Sequence, residues 1–249
     1  MTKRPFGRTK AFTTLAFAIL RIPFWLAAPV GQRRRHEQVF FARLLKGFGI
    51  DISLKGNPSP KVGTLFIMNH ISWADIPVMM AILDADFVAK ADILTWPMIG
   101  ALARRFSPVF VARDAQRRSH AQADAIRHRL NAGRSVILCP EGTTSDGTGI
   151  LPFRTSLFSA ADAASAVQPV ILRYLLPDGS VLPPERQREV AWIADDDLLS
   201  GAARLAKLKT LARAEFLSPV CNITDRKALA EIIRHRMVAA YAATPNRPI

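Results

Sequence analysis

Short apolar runs recur along the chain and are separated by segments with helical patterns. Runs of this length and composition are typical of buried β-strands. The clearest are TLFIM (64–68), DFVAK (86–90), SPVFVA (107–112), SVILC (135–139), VQPVILRYL (167–175) and REVAWIA (188–194). Alternation of strands and helices along one chain predicts an α/β domain whose central sheet is flanked by helices.

The segments between and after these runs indicate helices. Their patterns and stop signals place helices at 76–85, about 95–105, 115–131, 154–165 and 225–243. At 249 residues, the chain suits one sizeable domain with attachments or two small ones. We expect an N-terminal helical region over residues 1–50, the α/β domain over 51–224, and a C-terminal helix over 225–249 that packs on it.

The N-terminal segment AFTTLAFAILRIPFWLAAPV (11–30) is apolar and has basic residues on both sides. A helix of this length could just span a bilayer. Arg21 and Pro23 are costly in hydrocarbon and oppose a simple span. We therefore expect a monotopic anchor, in which two short apolar helices enter one leaflet while Arg21 reaches the headgroups. A single span, a cleavable signal peptide and a buried helix of a soluble domain are the alternatives.

The chain is strongly basic, with 34 Lys and Arg against 20 Asp and Glu and a formal net charge of +14. Such an excess favours an anionic partner, which could be nucleic acid, an anionic lipid surface or an acidic protein. The arginines flank apolar segments, and the sequence has no zinc motif and no aromatic–basic RNA signature. We therefore expect an anionic membrane surface, at the cytoplasmic face of the inner or plasma membrane, and no nucleic acid. Cys139 and Cys221 form no metal-ligand pattern, which suits a reducing compartment, although a single disulfide stays open.

Three charged stretches directly follow predicted strands: His70 to Asp75, Arg113 with Asp114, and Glu141 to Asp146. In open α/β sheets, active sites gather where strands end. A tight turn from strand to helix could bring Asp75 back to one imidazole nitrogen of His70, which leaves the other nitrogen free to accept a proton. The spacing could equally arise by chance, with Asp75 capping the helix.

Two of these stretches could bind an anion. The guanidinium of Arg113 suits bidentate capture of phosphate or carboxylate, or a surface ion pair with Asp114. PEGTTSDG (140–147) is rich in small residues, and such loops expose backbone N–H groups to anions. It lacks the lysine and the spacing of a P-loop, so nucleotide binding is not expected. Glu141 could brace this loop or bind substrate, and the loop could also be a structural turn.

Five segments occur in order, with helical spacers, over roughly residues 64–175: NHISWADIP, FVAKADILTWPMIG, PVFVAR, PEGTTSDG and VQPVILRY. The order resembles the glycerolipid acyltransferase family, whose best-known member is 1-acylglycerol-3-phosphate acyltransferase. The four blocks of that family fall on Asn69, His70, Ser72 and Asp75, on Phe110 to Arg113, on Pro140 to Ser145, and on Pro169.

The resemblance implies a mixed central sheet and transfer of a fatty acyl group to the hydroxyl of a lyso-lipid in membrane lipid biosynthesis. The donor would be a thioester of acyl carrier protein or coenzyme A, with no metal and no other cofactor. His70 would act as general base, and Asp75 would orient it. The implied substrate-binding residues are Ser72, Arg113, Glu141, Gly142, Thr143 and Thr144. The arginines at 104, 105, 117 and 118 could dock the carrier protein or coenzyme A phosphates, or form a solvated basic face.

One position departs from the family pattern. Thr144 stands where the family usually has arginine. The form EGTTSDG followed by LPFRTSLF resembles the branch that includes lyso-ornithine lipid acyltransferases, whose acceptor carries a carboxylate and no phosphate monoester. A singly charged acceptor needs less positive charge, but Arg154 could instead replace the missing cation. The acceptor therefore stays open between 1-acylglycerol-3-phosphate and lyso-ornithine lipid.

Two rival classes are less well supported. A hydrolase would use Ser72 or Cys139 as a covalent nucleophile, but no G-x-S-x-G elbow surrounds any serine. A non-catalytic protein that binds membranes or nucleic acid gives no reason for His70, Asp75 and the loop at 140–147 to occur together.

Overall fold

A seven-stranded sheet forms the centre of the part of the chain that the structure describes. The computed structural model describes residues 7–20, 30–90, 109–111, 117–193, 196–221 and 225–243. The strands are β1 (Ile50–Lys55), β2 (Thr64–Met68), β3 (Ala85–Lys90), β4 (Val109–Val111), β5 (Ser135–Leu138), β6 (Ala166–Leu175) and β7 (Thr210–Phe216). The helices are α1 (Gly7–Leu20), α2 (Val30–Phe48), α3 (Asp75–Ile82), α4 (Arg117–Asn131), α5 (Pro184–Val190), α6 (Leu198–Leu205) and α7 (Arg226–Ala243), with a 3₁₀ helix at Thr155–Ala163.

The sheet is mixed, which confirms the predicted fold class. Its strand order is β1-β7-β6-β2-β5-β3-β4. Strands β6, β2, β5, β3 and β4 run parallel to one another, whereas β7 pairs antiparallel with β6, and β1 pairs parallel with β7. β2 lies between β5 and β6, so the residues after its carboxyl end emerge in the middle of the parallel part of the sheet. Such a position is typical of a ligand site in an α/β fold.

Alternate residues of the central strand β2 pack into two separate apolar cores. All of its residues are buried, because helices cover both faces of the sheet. Leu65 and Ile67 belong to a core that includes residues of α4, α7 and the 3₁₀ helix. Phe66 and Met68 belong to a core that includes residues of α2 and α3. The strand that leads into His70 is therefore held from both sides.

Helices α1 and α2 pack closely together and against the domain. A Cβ added at Gly47 of α2 would come within 2.6 Å of the Thr14 side chain of α1. Leu45 and Phe48 of α2 are buried in the same core as Val78 of α3. Among the described residues, no helix is both long enough and apolar enough to cross a bilayer. Residues 21–29 of the expected anchor lie outside the described residues, and the anchor stays a prediction.

The sheet differs from the sequence prediction at its β1–β7 edge. The stretch at 188–194 was predicted to be a strand, which is wrong: α5 continues to Val190, and residues 191–193 belong to no strand. Pro184 in the first turn of α5 favours helix initiation. Instead β7, whose sequence TLARAEF has no continuous apolar run, completes the sheet through its pairing with β1 and β6. The segment predicted as a helix at 154–165 forms the 3₁₀ helix, and the helix expected at about 95–105 lies outside the described residues.

Candidate active site

The turn that follows β2 is clamped to the neighbouring strand β6. The side chain of Asn69 donates a hydrogen bond to the Leu172 carbonyl at 2.9 Å and accepts one from the Leu172 N–H at 2.8 Å. The backbone pairing of β2 with β6 ends at Met68, and the Asn69 side chain bonds the next backbone groups of β6 in place of a paired strand. The chain then turns sharply, so that His70 leaves the sheet edge and Asp75 begins α3.

His70 and Asp75 form a hydrogen-bonded pair inside this turn. The Nδ1 atom of His70 lies 2.7 Å from Asp75 Oδ2. The same oxygen accepts the N–H groups of Ile71 at 2.7 Å and Ser72 at 2.9 Å. Because a carboxylate only accepts, Nδ1 carries a proton, and Nε2 is the ring nitrogen that can accept one when the imidazole is neutral. The Asp75 side chain is fully buried while that of His70 is 19% exposed, so the imidazole can meet a substrate and its partner cannot.

Tyr174, near the end of β6, completes the surroundings of Asp75. Its hydroxyl donates to Asp75 Oδ1 at 2.7 Å. Burial, together with the charge of Asp75, raises the pKa of Tyr174 well above its usual value, so the phenol stays a donor at neutral pH. Sequence reasoning missed this residue, although its place at the end of a predicted strand was a usable signal.

Glu141 ties the loop at 140–147 to the histidine turn. Its Oε2 accepts the His70 N–H at 2.9 Å, and its Oε1 accepts the Leu151 N–H at 2.9 Å. In return, the Ser145 N–H donates to the His70 carbonyl at 2.7 Å. Burial raises the pKa of Glu141, while the two backbone donors oppose this shift. Both carboxylate oxygens accept backbone N–H groups. This arrangement suits a Glu141 that braces the loop better than one that binds substrate.

The hydroxyl of Thr144 is engaged in a contact within the protein. It donates to the carbonyl of Trp192, and the Trp192 N–H donates to the Ile71 carbonyl at 2.9 Å. The segment after α5 is thus attached both to the 140–147 loop and to the histidine turn. Thr143, by contrast, is exposed, and its N–H bonds no group in the described part of the chain.

The guanidinium of Arg154 lies directly against Gly142. A Cβ added at Gly142 would come 2.7 Å from Arg154 Nε and 2.9 Å from its Cζ. Gly142 also has a positive φ of 68°, a conformation that side chains other than glycine disfavour. Both features explain why glycine stands at this position.

The remaining residues that the sequence singled out fall into different environments. Ser72 is fully buried, and its hydroxyl lies 3.4 Å from the Ala74 N–H. The rival nucleophile Cys139 is a free thiol whose pKa burial raises well above its usual value, with the charges of Asp75 and Glu141 adding to the effect. A half-buried thiol whose pKa is raised in this way is a poor nucleophile. Arg113, Arg104 and Arg105 lie outside the described residues.

A cavity of about 660 Å³ is lined by Ile71 and Tyr174, which both donate hydrogen bonds to Asp75, and by Ile150, Leu182 and Tyr241. Neither His70 nor Asp75 lines it. No cluster of three or more His, Cys, Asp and Glu side chains suited to a metal ion occurs within the described ranges.

Comparison with known proteins identifies the family. Residues 50–173 match the family model described as Acyltransferase. A lyso-ornithine lipid O-acyltransferase of Brucella abortus is 34% identical over 239 residues, which cover 90% of each chain. The chain belongs to the Acyltransferase family. This confirms the resemblance drawn from the sequence blocks.

Other members of the Acyltransferase family extend the comparison. A 1-acyl-sn-glycerol-3-phosphate acyltransferase of Neisseria gonorrhoeae is 40% identical over 78% of this chain and 76% of its own length. The crystal structure of the 1-acyl-sn-glycerophosphate acyltransferase of Thermotoga maritima has the same fold, with a TM-score of 0.67 at 18% identity over 97% of this chain and 98% of that one. The protein is therefore a 1-acylglycerol-3-phosphate O-acyltransferase-like enzyme of lipid biosynthesis, and the names of its relatives specify two different acceptors.

Proposed function

We propose that this acyltransferase moves a fatty acyl group from a thioester of acyl carrier protein or coenzyme A to the free hydroxyl of a lyso-lipid at a membrane surface. The observation that carries the proposal is the His70–Asp75 pair, in which Nδ1 is bound to a buried carboxylate and the imidazole is partly exposed. Such a pair is the arrangement of a general base and the group that orients it.

The reaction needs one proton acceptor and one oxyanion site. Nε2 of His70 takes the proton of the acceptor hydroxyl as the oxygen attacks the thioester carbonyl. The tetrahedral oxyanion then collapses and expels the thiolate, which recovers the proton from the imidazolium. Asp75 stabilises that imidazolium throughout, and no acyl-enzyme forms. The N–H and hydroxyl of the exposed Thr143, which bond no other described residue, are candidates to stabilise the oxyanion.

The headgroup of the acceptor would lie over the 140–147 loop. Thr143 and the backbone around Gly142 would contact it, with Arg113 as a further cation. Ser72 and Glu141 would support these contacts from beneath, because both side chains are buried.

Membrane attachment would come from the N-terminal region, at the cytoplasmic face. Phe17 and Leu20 at the end of α1 are 70% and 67% exposed, and large apolar side chains at such exposure suit insertion among lipids. The basic residues before and after this region would meet anionic headgroups. The expected division into residues 1–50, 51–224 and 225–249 is part of this proposal.

The test compares wild type with His70→Ala and with a matched control, His235→Ala. His235 is exposed on α7, so the control removes an imidazole without touching the pair. Purified full-length protein in detergent is offered lysophosphatidic acid and lyso-ornithine lipid, each with carrier-protein and coenzyme A donors. We expect His70→Ala to lose at least about 100-fold in kcat, since base catalysis supplies about 10² to 10⁴ of the rate, while the control keeps its activity.

The same assay separates the rival reactions by their products. Acyl transfer yields a diacylated lipid, whereas a hydrolase yields free fatty acid from the thioester and a labelled acyl-enzyme in a denaturing gel. Retention of more than about a tenth of wild-type activity by folded His70→Ala protein would overturn the assignment of the base.

A further inference from the structure

Position 144 supplies neither a cation nor a free polar group to the site. Thr144 carries no charge, and its hydroxyl is bonded to the Trp192 carbonyl. The residue therefore attaches the segment after α5 to the loop. Any positive charge beside this loop has to come from another part of the chain.

Arg154 brings such a charge to the loop. Its guanidinium lies over Gly142, the neighbour of the Glu141 carboxylate that accepts the His70 N–H. Its own N–H donates to the Pro140 carbonyl at 2.9 Å, which fixes its backbone to the start of the loop. Chain contacts thus link Arg154 to the catalytic turn through Gly142 and Glu141.

No described residue forms an ion pair with Arg154. Its side chain also makes no hydrogen bond within the described part of the chain. The nearby carboxylate of Glu141 is occupied by two backbone N–H groups. Arg127 and Arg234, which flank the same region, are both committed, the first to Asp162 and the second to backbone carbonyls. Arg154 is also exposed, so an anion can reach it.

We infer that Arg154 binds the carboxylate of the acceptor headgroup and makes this enzyme selective for a lyso-lipid that carries a single free carboxylate. The inference rests on the proposed acyl transfer and adds its acceptor class. Two parallel N–H groups of a guanidinium match the two oxygens of a carboxylate. A phosphate monoester, with a charge near −2, is matched less well by the single guanidinium that the described part of this loop region offers, because position 144 is uncharged.

The test removes the charge on each side of the contact in turn. Wild type, Arg154→Gln, Arg154→Lys and the control Arg236→Gln are assayed with lyso-ornithine lipid and with its carboxyl methyl ester. Arg236 is exposed on α7 and controls for the loss of one positive charge. For Arg154→Gln we expect the ratio of kcat/KM for the acid to kcat/KM for the ester to fall by about 10- to 100-fold, mainly through KM. Arg154→Lys should keep part of the selectivity, since lysine retains the positive charge but lacks the two parallel N–H groups of the guanidinium.

Each other outcome overturns a specific claim. Equal losses on acid and ester would give Arg154 a structural role and refute carboxylate binding. Unchanged kcat/KM values for both the acid and the ester would refute any contact of Arg154 with the headgroup. If wild type preferred lysophosphatidic acid to lyso-ornithine lipid, the acceptor class would be wrong while acyl transfer stood. If wild type acylated none of these lipids, the proposed function itself would fail, and this inference with it.

Discussion

Tyr174→Phe tests whether the surroundings of Asp75 matter to the reaction. The substitution removes one hydroxyl and keeps the ring, so the change in packing is small. Asp75 Oδ2 keeps its three contacts with His70, Ile71 and Ser72. Oδ1 loses the Tyr174 hydroxyl, the donor that it has in the described structure, and remains buried.

The expected cost follows from this loss. A hydrogen bond to a charged group contributes about 1.5–3 kcal/mol to stability. The variant should lose about this much, because Asp75 Oδ1 stays buried without the Tyr174 donor. For a chain of this size, the melting temperature should fall by about 3–12 °C. With one donor fewer, the carboxylate should also hold the proton on the imidazole more tightly. The acid limb of the kcat/KM profile should therefore move to higher pH.

The assay is a pH–rate profile with a lyso-lipid acceptor, combined with thermal unfolding. Tyr174 itself does not titrate in the assay range, because burial and the charge of Asp75 raise its pKa well above its usual value. Tyr241→Phe is the matched control, since that hydroxyl donates to the Gly147 carbonyl at 2.6 Å and does not contact Asp75. An unmoved acid limb in Tyr174→Phe, or an equal movement in Tyr241→Phe, would refute the reasoning.

Two further predictions concern groups next to the pair. Glu141→Gln should lower the free energy of unfolding by about 1–3 kcal/mol at neutral pH. The two backbone N–H groups bond different carboxylate oxygens, and the amide has only one oxygen with which to accept them. Burial raises the pKa of Glu141, so folding favours its protonated form. The contribution of Glu141 to stability therefore falls as the pH rises from the pKa of the unfolded chain through the higher pKa of the folded protein. Chemical denaturation across this pH range should show that decrease in wild type and not in Glu141→Gln. Under native conditions at pH 7.5, iodoacetamide should label the exposed Cys221 and spare the half-buried Cys139, whose pKa is raised. Equal labelling of both thiols by mass spectrometry would contradict the raised pKa of Cys139.

The central strands were predictable because their residues are buried on both faces. TLFIM is predicted as a strand and forms β2 with those same bounds, and VQPVILRYL lies within β6. Such runs carry a signal that needs no knowledge of the partner strands. β7 carries the charged residues Arg213 and Glu215 and lacks a continuous apolar run, so its strand character depends on pairing with β6 and β1.

The sequence by itself predicted the His70–Asp75 pair, because the two residues lie five positions apart and a single turn after a buried strand brings them together. It also identified the loop at 140–147 and the unusual threonine within it. Only the tertiary structure decided what surrounds them. Tyr174 reaches Asp75 across 99 residues of chain, Trp192 occupies the hydroxyl of Thr144, and Arg154 lies over Gly142. Contacts between residues distant in sequence depend on how strands and loops assemble, and local patterns carry no record of that assembly.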